Sequence, residues 1–459
     1  MKLSRFISIL LIVSAVFVLI GCADIMALIT GEEDNYADSP YVSVLGDLYS
    51  VDLHYGESKT FSVSATVEDG GTLSYQWFRA SSYLMSNATP IAGATSASYT
   101  FTAGNAEDSF YLFCRVTNTK NGMQQTSESS QIKVNVSNII RLNGTYINEN
   151  TTWNSIYTYY IENWATVEKS LIIPAGTVVK LGKDAYFETA GTGTITVNAE
   201  EGKTTYFTSY LDMTKGIAIP EFAGSAVGPA KDDWAGVLIN GASNSSFKNC
   251  TFRYANACAL RLSAKTTVDG CTFTDNKSVE YTGALTILES ANESTVKNNV
   301  FYNNDWPLNV PVNYTVDTSN VFQNPDKADE KNTNQAIVMG FANYIPQSKT
   351  AKWNVTGIPY LVLDWITVEG TLKIGADVIV KFNKDVYLEV TDTGYLDLAD
   401  NAVLTSWRDD EHGGNTDGDG PAADDGDWKG VYYPEVRYNN DINKDTTRVL
   451  YNDKTEITE

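Results

Sequence analysis

The chain has 459 residues and a formal net charge of −23 at neutral pH, which argues against a nucleic acid or an anionic lipid surface as its partner. The composition, with 27 tyrosines, 9 tryptophans and 33 glycines, is typical of a β-rich protein. The only two histidines are His54 and His412, which weakens any hypothesis that requires a histidine base or a histidine-built metal site.

The N-terminus has the layout of an exported, lipid-modified protein. Lys2 and Arg5 form a short basic start, and residues 6–20 are apolar apart from two serines, as in a secretory signal. The four residues that end at Cys22 resemble the bacterial lipobox, in which the signal is cleaved before the cysteine and the cysteine carries acyl chains. The resemblance implies a signal peptide at 1–21 and an outer-membrane lipoprotein, surface-exposed or periplasmic, held to the membrane through Cys22. The alternative is an uncleaved anchor helix.

A tether and a first domain follow the signal. Residues 22–40 are short, polar and acidic, which predicts a flexible tether. Residues 41–137 contain short apolar–polar alternations separated by turn residues, which predicts a β-sandwich of about 100 residues.

The first domain resembles the immunoglobulin-like family. The stretch that ends in Trp77 looks like strand C of that family, and the stretch around Cys114 looks like its strand F. No cysteine lies in the strand B candidate at 61–67, so the inter-sheet disulfide of the family is absent and Cys114 is expected to be a small buried hydrophobe. The resemblance implies a spacer or a protein–protein module.

The remaining cysteines predict buried free thiols. The spacing of Cys114, Cys250, Cys258 and Cys271 resembles neither a disulfide framework nor a zinc site. Oxidation in the cell envelope is the alternative.

Residues 138–459 contain a long internal duplication, with copies at about 150–240 and 350–435. The segment from Trp164 to Leu181 recurs from Trp365 to Phe382, and the similarity continues beyond it. The later matches are Asp184–Glu188 with Asp385–Glu389, Thr208-Ser209 with Thr405-Ser406, and Trp234-Ala-Gly236 with Trp428-Lys-Gly430.

A shorter repeat lies between the two copies. Phe252, Phe273 and Phe301 each end a similar motif and are each followed within a few residues by asparagine. Like residues at a regular period are the signature of a coil whose turns stack on one another. We expect the phenylalanines to form one internal stack, and Cys250, Cys271 and Asn299 a second ladder, with further asparagines in the turns.

These motifs resemble the right-handed parallel β-helix family, which is pectate-lyase-like in shape. The predicted fold class is therefore all-β, an immunoglobulin-like β-sandwich followed by a right-handed parallel β-helix over 138–459. About 13 rungs stacked about 4.8 Å apart would give a length of roughly 60 Å. We expect caps near 138–165 and 433–459. The alternative is two separate sandwiches or another all-β arrangement.

An acidic loop at 405–428 is the candidate metal site. Oxygen ligands for Ca²⁺ could come from a group of Asp and Asn side chains, but the loop lacks the bidentate glutamate of an EF-hand. The alternative is a solvated acidic loop, and calcium is the one cofactor considered. The candidate ligands are Asp409, Asp410, Asn415, Asp417 and Asp419.

Catalytic residues are not assigned, and an enzyme is disfavoured. Polysaccharide lyases and glycoside hydrolases of the β-helix class need carboxylates that converge from different rungs. Here the residues that match hydrolase motifs, Asn415-Thr-Asp417 and Asp424-Asp425, fall in one loop. The positions that repeat from rung to rung hold Cys, Phe, Asn and Thr rather than carboxylates. We therefore expect a non-catalytic surface protein for adhesion or for binding a polysaccharide or a surface protein. The alternatives are such a lyase or hydrolase and a purely structural rod.

Aromatic residues are the candidate ligand contacts, since aromatic rings can stack on sugar faces. Packing in caps and strands is the alternative for them. The recurrence of Trp164 and Trp234 as Trp365 and Trp428 assigns these four to packing. The candidates for ligand binding are Trp153, Tyr157, Tyr159, Tyr432 and Tyr433.

Overall fold

The computed structural model describes residues 36–453 apart from 47, 86, 105–107, 243, 280, 341, 417–421, 434–441 and 444. The predicted signal peptide and Cys22 lie outside the described residues. The fold class is confirmed as all-β, since the only helical element in the described part is a 3-10 turn at Glu289–Ala291. Among those residues, no helix is both long and apolar enough to cross a membrane. The chain divides into two compact units, residues 1–138 and 139–459.

The first unit is built from nine strands in two sheets. They are β1 (Tyr41–Val44), β2 (Ser50–Leu53), β3 (Ser58–Thr66), β4 (Thr72–Ala80), β5 (Thr89–Pro90), β6 (Ser98–Thr102), β7 (Asp108–Lys120), β8 (Met123–Glu128) and β9 (Ile132–Val136). One sheet has the antiparallel order β1-β3-β6. The other has the order β2-β9-β7-β4-β5, with β8 paired to β7.

The core between these sheets explains the residues that resemble an immunoglobulin-like domain. Trp77 on β4 is fully buried and its indole nitrogen donates to the Ser96 carbonyl at 2.9 Å. Cys114 on β7 lies directly opposite Trp77 in the ladder and is a fully buried free thiol. Burial raises the pKa of this thiol to about 11, so Cys114 acts as a small apolar residue, as predicted.

The second unit is a coil of short parallel strands. The strands of its first part are β10 (Ile139–Leu142), β11 (Thr145–Ile147), β12 (Thr151–Thr152), β13 (Thr158–Ile161), β14 (Trp164–Val167), β15 (Ser170–Ile173), β16 (Val178–Leu181), β17 (Tyr186–Thr189), β18 (Thr194–Val197), β19 (Thr205–Ser209), β20 (Gly236–Ile239), β21 (Ser245–Lys248), β22 (Cys250–Arg253), β23 (Leu260–Leu262), β24 (Thr266–Asp269), β25 (Thr272–Thr274), β26 (Leu285–Ile287), β27 (Thr295–Lys297), β28 (Val300–Tyr302) and β29 (Leu308–Val310).

The coil continues after a long connection. The strands of this second part are β30 (Gln323–Asn324), β31 (Lys327–Lys331), β32 (Ile337–Met339), β33 (Tyr344–Ile345), β34 (Thr350–Trp353), β35 (Tyr360–Val362), β36 (Ile366–Val368), β37 (Thr371–Ile374), β38 (Ile379–Phe382), β39 (Tyr387–Val390), β40 (Tyr395–Leu398), β41 (Val403–Ser406) and β42 (Gly430–Tyr432).

Five parallel sheets form the faces of the coil. Sheet I is β10-β13-β16-β19-β22-β25-β28, and sheet II is β11-β14-β17-β20-β23-β26-β29-β32-β35-β38-β41. Sheet III is β12-β15-β18-β21-β24-β27, sheet IV is β33-β36-β39-β42, and sheet V is β34-β37-β40. The pairing joins every third strand through most of the coil, because each rung contributes one strand to each face. The parallel β-helix architecture predicted from the repeats is thus present.

The predicted phenylalanine stack fills the interior of sheet I. The Phe252 and Phe273 rings are 5.0 Å apart at 6°, and the Phe273 and Phe301 rings are 4.9 Å apart at 7°. The stack extends beyond the prediction, to Phe207 below and Phe322 above. Since neighbouring rungs lie about 4.8 Å apart, one ring per rung stacks on the next without adjustment of the backbone.

Buried asparagines form two further ladders at the corners of the coil. The side-chain amide of Asn276 donates to Asn304 Oδ1 at 2.8 Å, and that of Asn304 donates to Asn332 Oδ1 at 2.9 Å. In the second ladder, Cys271 donates its backbone N–H to Asn299 Oδ1, and Asn299 donates to Asn320 Oδ1 at 2.9 Å. These side chains supply the hydrogen bonds that the bent backbone of a corner cannot make to another strand.

Equivalent strands of the two copies of the duplicated unit lie on different faces of the coil. Sheets I and III end at β28 and β27, and β29 pairs directly with β32 in sheet II. The connection between these two strands holds the antiparallel hairpin β30–β31. As a result, Lys180 of the first copy is on sheet I, whereas its counterpart Lys381 is on sheet II.

Two expectations about the coil need correction. Residues 138–165 are not a cap, because β10 to β14 already pair in register with the following rung. Sheet II has eleven strands in the described part of the chain, which corresponds to roughly 50 Å rather than 60 Å. The difference arises because long loops take up residues that the estimate assigned to rungs.

Candidate functional site

Two long loops leave the coil at equivalent points of the duplicated unit. Loop L1 (residues 210–235) connects β19 to β20, and loop L2 (residues 407–429) connects β41 to β42. Each lies over a lysine whose side chain has no exposed surface, Lys180 under L1 and Lys381 under L2. A buried ammonium is costly unless oxygen atoms accept its hydrogen bonds, and each loop provides such acceptors.

The loop backbone accepts hydrogen bonds from both lysines. Lys180 Nζ donates to the Asp212 carbonyl oxygen at 2.9 Å. Lys381 Nζ donates to the Asp409 carbonyl oxygen at 2.7 Å, to Thr416 Oγ1 at 3.2 Å and to the Gly414 carbonyl oxygen. The ammonium of Lys381 is therefore a built-in cation that organises the start of L2.

A buried aspartate closes the base of each loop. Asp212 accepts hydrogen bonds from Thr208 Oγ1 at 2.6 Å and Thr214 Oγ1 at 2.7 Å, and it pairs with Arg253. Burial alone would raise the pKa of Asp212, but the hydrogen bonds from Thr208 and Thr214 and the charge of Arg253 outweigh it and lower the pKa. The carboxylate of Asp212 therefore stays charged, and its oxygens are occupied by hydrogen bonds and an ion pair within the protein.

The second copy repeats this arrangement with one exchange. Asp409 accepts from Thr405 Oγ1 at 2.6 Å, as Asp212 does from Thr208. In the place of an arginine partner, His412 Nδ1 lies 2.8 Å from Asp409 Oδ2.

A second aspartate fixes the far end of each loop. Ser209 Oγ donates to Asp233 Oδ2 at 2.5 Å, and Ser406 Oγ donates to Asp427 Oδ2 at 2.9 Å. The repeated Thr-Ser pairs and the aspartates that precede Trp234 and Trp428 are thus loop anchors. From the sequence, the repeat of the Thr-Ser pairs was evident but their role was not, and the predicted repeat did not include Asp233 and Asp427.

The stability contributed by Lys180 depends on pH in a defined direction. Burial lowers the pKa of Lys180 from 10.5 to about 8, and the nearby Asp212 only partly opposes this. Above about pH 8 the folded chain has released this proton while the unfolded chain still holds it, so unfolding takes up a proton and a rise in pH favours the folded state. Between about pH 7 and 9.5, the free energy of unfolding of the wild type should therefore rise by about 2 kcal/mol relative to that of Lys180→Met.

This difference is measured by urea unfolding of both proteins across that pH range. The comparison cancels the titration of the other groups, which both chains share. Lys183→Met is the matched control, because Lys183 is an exposed lysine that also donates to a loop carbonyl, that of Asp232. Parallel stability curves for the wild type and Lys180→Met would contradict the lowered pKa.

The structure places the predicted calcium ligands in different environments. The Asp409 carboxylate is buried and bonded within the loop, whereas Asp410 and Asn415 are on the surface. Asp417 and Asp419 lie outside the described residues. Among the residues that are described, no three His, Cys, Asp or Glu side chains are grouped as a metal site would need, and the calcium site stays a prediction.

The aromatic residues predicted to contact a ligand are placed differently from expectation. Trp153 and Tyr159 are buried and stacked with ring centroids 3.8 Å apart, which agrees with the packing alternative for these two rings. They face inward in the first rungs, where Trp153 also stacks on Phe187. Tyr157 is half-buried against the same core.

The other predicted pair lies near the last rungs. Tyr432 and Tyr433 are half-buried. Tyr432 contacts the Tyr387 ring edge-on, with centroids 5.3 Å apart, and Tyr433 packs against the main core.

The four duplicated tryptophans belong to two classes. Trp234 and Trp428 are fully buried, which confirms the packing assignment. Trp365 is 46% exposed and Trp164 is partly exposed, and both pack on the outer side of the coil, against Tyr387 and Tyr186. The sequence does contain the relevant signal: Trp164 is two residues before a threonine and alternates with the buried Ala165 and Val167, which places its side chain on the outer face of the strand.

Comparison with known proteins supports the architecture of the second unit. A family model described as right handed beta helix region matches residues 231–334. This stretch contains Phe252, Phe273 and Phe301, the residues on which the sequence resemblance rests, and the second unit is a right-handed parallel β-helix. No curated protein and no solved structure matches the chain.

Proposed function

We propose that the protein is a lipid-anchored protein of the cell envelope whose β-helix is a non-catalytic binding surface, used in adhesion or in ligand capture. The observation that carries the proposal is the position of aromatic rings on the outer faces of the coil, the partly exposed Trp164 on sheet II and the exposed Trp365 beside sheet IV. Exposed aromatic rings on rigid strands are a feature of binding surfaces.

The buried lysine–aspartate clusters support binding over catalysis. A lowered lysine pKa and nearby carboxylates also occur in catalytic sites. In both loops, however, the ammonium has no exposed surface and the Asp212 and Asp409 side chains accept hydrogen bonds from their own loop and strand. A substrate could not reach these groups without opening the loops.

The anchor half of the proposal rests on the four residues that end at Cys22. The wild type should be labelled by a clickable palmitate analogue and Cys22→Ser should not, because the acyl chains are carried by Cys22. Cys22→Ser should also keep residues 1–21, which the mass of the isolated chain shows. Equal labelling of the two proteins, or no label on the wild type, would count against a lipid anchor.

Turnover is tested with the full chain in detergent. We expect incubation with a panel of soluble polysaccharides to release no new reducing ends and no unsaturated products. Release of either product would replace the binding proposal with a polysaccharide hydrolase or lyase. The control is Lys180→Met with Lys381→Met, which identifies the source of any such activity.

A further inference from the structure

Four outward-facing side chains are identical in the two copies of the duplicated unit. On sheet II of the first copy, Trp164 pairs with Tyr186 and Thr166 pairs with Glu188. On sheet IV of the second copy, Thr367 pairs with Glu389, and Trp365, one residue before β36, lies beside Tyr387. We name these quartets platform 1 (Trp164, Thr166, Tyr186, Glu188) and platform 2 (Trp365, Thr367, Tyr387, Glu389).

The four platform residues are identical although several positions around them differ. Core differences are Ala165/Ile366 and Phe187/Leu388, and outward differences on the next face are Ile172/Lys373, Thr194/Tyr395 and Thr196/Asp397. Other identical pairs have a packing or loop-anchoring role, such as Val167/Val368 in the core and Lys180/Lys381 under the loops. Trp365 is retained although 46% of it is exposed, and an exposed position contributes little to stability.

The geometry of the two platforms is also the same. The Trp164 and Tyr186 rings have centroids 6.5 Å apart at 13°, and the Trp365 and Tyr387 rings 6.4 Å apart at 13°. Thr166 Oγ1 donates to Glu188 at 3.1 Å, and Thr367 Oγ1 donates to Glu389 at 3.0 Å. The threonine fixes each carboxylate in direction. Glu188 also accepts from Asn240 Nδ2 at 3.2 Å, and because a carboxylate has about four lone-pair sites, acceptor capacity is left for a ligand.

We propose that each platform binds a sugar ring of an uncharged glycan, an inference that rests on the proposed function and names its ligand. The aromatic pair offers a flat apolar surface for the C–H face of a pyranose. The carboxylate lies two residues along the strand, about 7 Å away, where it can accept hydrogen bonds from hydroxyl groups at the edge of the ring. An acidic glycan would be repelled by Glu188, Glu389 and the net charge of −23.

The two platforms lie on different faces of the coil, platform 1 on sheet II and platform 2 on sheet IV. They are therefore two separate sites of the same kind. Loss of one platform should leave the other site able to bind.

The test is affinity electrophoresis of the full chain in detergent through gels that contain neutral soluble polysaccharides, namely β-glucans, xylan, galactomannan and α-glucans. We expect retardation by at least one of them. Trp164→Ala and Trp365→Ala should each remove one of the two sites and reduce the retardation by about half, and the double variant should abolish it. Trp365→Phe should retain most of the binding, because an aromatic face remains.

Tyr395→Thr is the matched control. Tyr395 is a 53% exposed aromatic on β40, outside the platforms, and its counterpart in the first copy is Thr194. Its replacement should leave retardation unchanged. Far-UV circular dichroism shows that each variant is folded before it is compared.

The possible outcomes separate this inference from the proposed function. Retardation that persists in the double alanine variant, or retardation by acidic polysaccharides alone, would overturn the platforms but keep a binding protein. The platforms would also be overturned, and a binding protein kept, if no neutral polysaccharide retarded the protein while it captured a purified surface protein. Cleavage of the polysaccharide would overturn the proposed function itself.

Discussion

Replacement of Asn304 by alanine should lower the free energy of unfolding of the β-helix by about 3 kcal/mol. Asn304 is fully buried, and its Oδ1 accepts from both the backbone N–H and the side chain of Asn276, at 3.2 and 2.8 Å. Its Nδ2 donates to the carbonyl of Phe273 at 2.9 Å and to Asn332 Oδ1. Alanine leaves these partners buried without hydrogen bonds, and each such group costs about 1–3 kcal/mol, an upper bound that relaxation and an entering water reduce.

Urea unfolding measures the total loss, and hydrogen exchange shows where it arises. The amide of Asn276 should lose protection first, since Asn304 Oδ1 is its acceptor. Asn163→Ala is the control, because Asn163 makes an asparagine–asparagine hydrogen bond of 2.8 Å to Asn143 on the exposed surface. That control should change stability by less than about 0.5 kcal/mol. Equal losses for the two variants would show that the internal ladder contributes no more than a surface pair.

The sequence contained enough to predict the coil, but not which face of the coil each strand of the second copy occupies. The spacing of Phe252, Phe273 and Phe301 revealed one residue per rung, because like side chains must stack in a parallel coil. The step that places Lys180 and Lys381 on different sheets occurs between β29 and β32. It depends on how residues 311–336 turn and pair as the hairpin β30–β31, and no repeat in the sequence reports on that.

Polar and aromatic side chains were harder to place than the core. The sequence makes Asp409 a candidate metal ligand or a solvated loop residue, because it cannot show that a loop folds back over an outward lysine. For Trp153 the sequence leaves ligand contact and packing open, and the structure shows a buried ring, whereas Trp365, assigned to packing, is 46% exposed. Identity between repeats shows that a residue type is retained at a position. Only the alternation of side chains along the strand shows whether that residue faces the core or the outer surface.

Replacement of Phe273 by alanine should cost about 3–5 kcal/mol, the largest effect we expect from one side chain. Phe273 is fully buried and has a stacked ring on each side, Phe252 at 5.0 Å and Phe301 at 4.9 Å. Alanine removes the apolar burial of a whole ring and leaves a cavity that the flanking rungs cannot close, since their backbones are fixed by hydrogen bonds on both sides.

The comparison of alanine with leucine at this position separates two contributions. Phe273→Leu retains most of the apolar volume but no ring, so it should cost about 1–2 kcal/mol, which reports the stacking and the change of shape. In a stacked coil each rung contacts only its neighbours, so the loss of exchange protection in Phe273→Ala should be centred on β22, β25 and β28 and fade towards β10 and β41. Uniform loss along the whole coil would mean that it unfolds as a single cooperative block, and an alanine variant as stable as the leucine variant would show that the rungs do collapse into the space left by the ring.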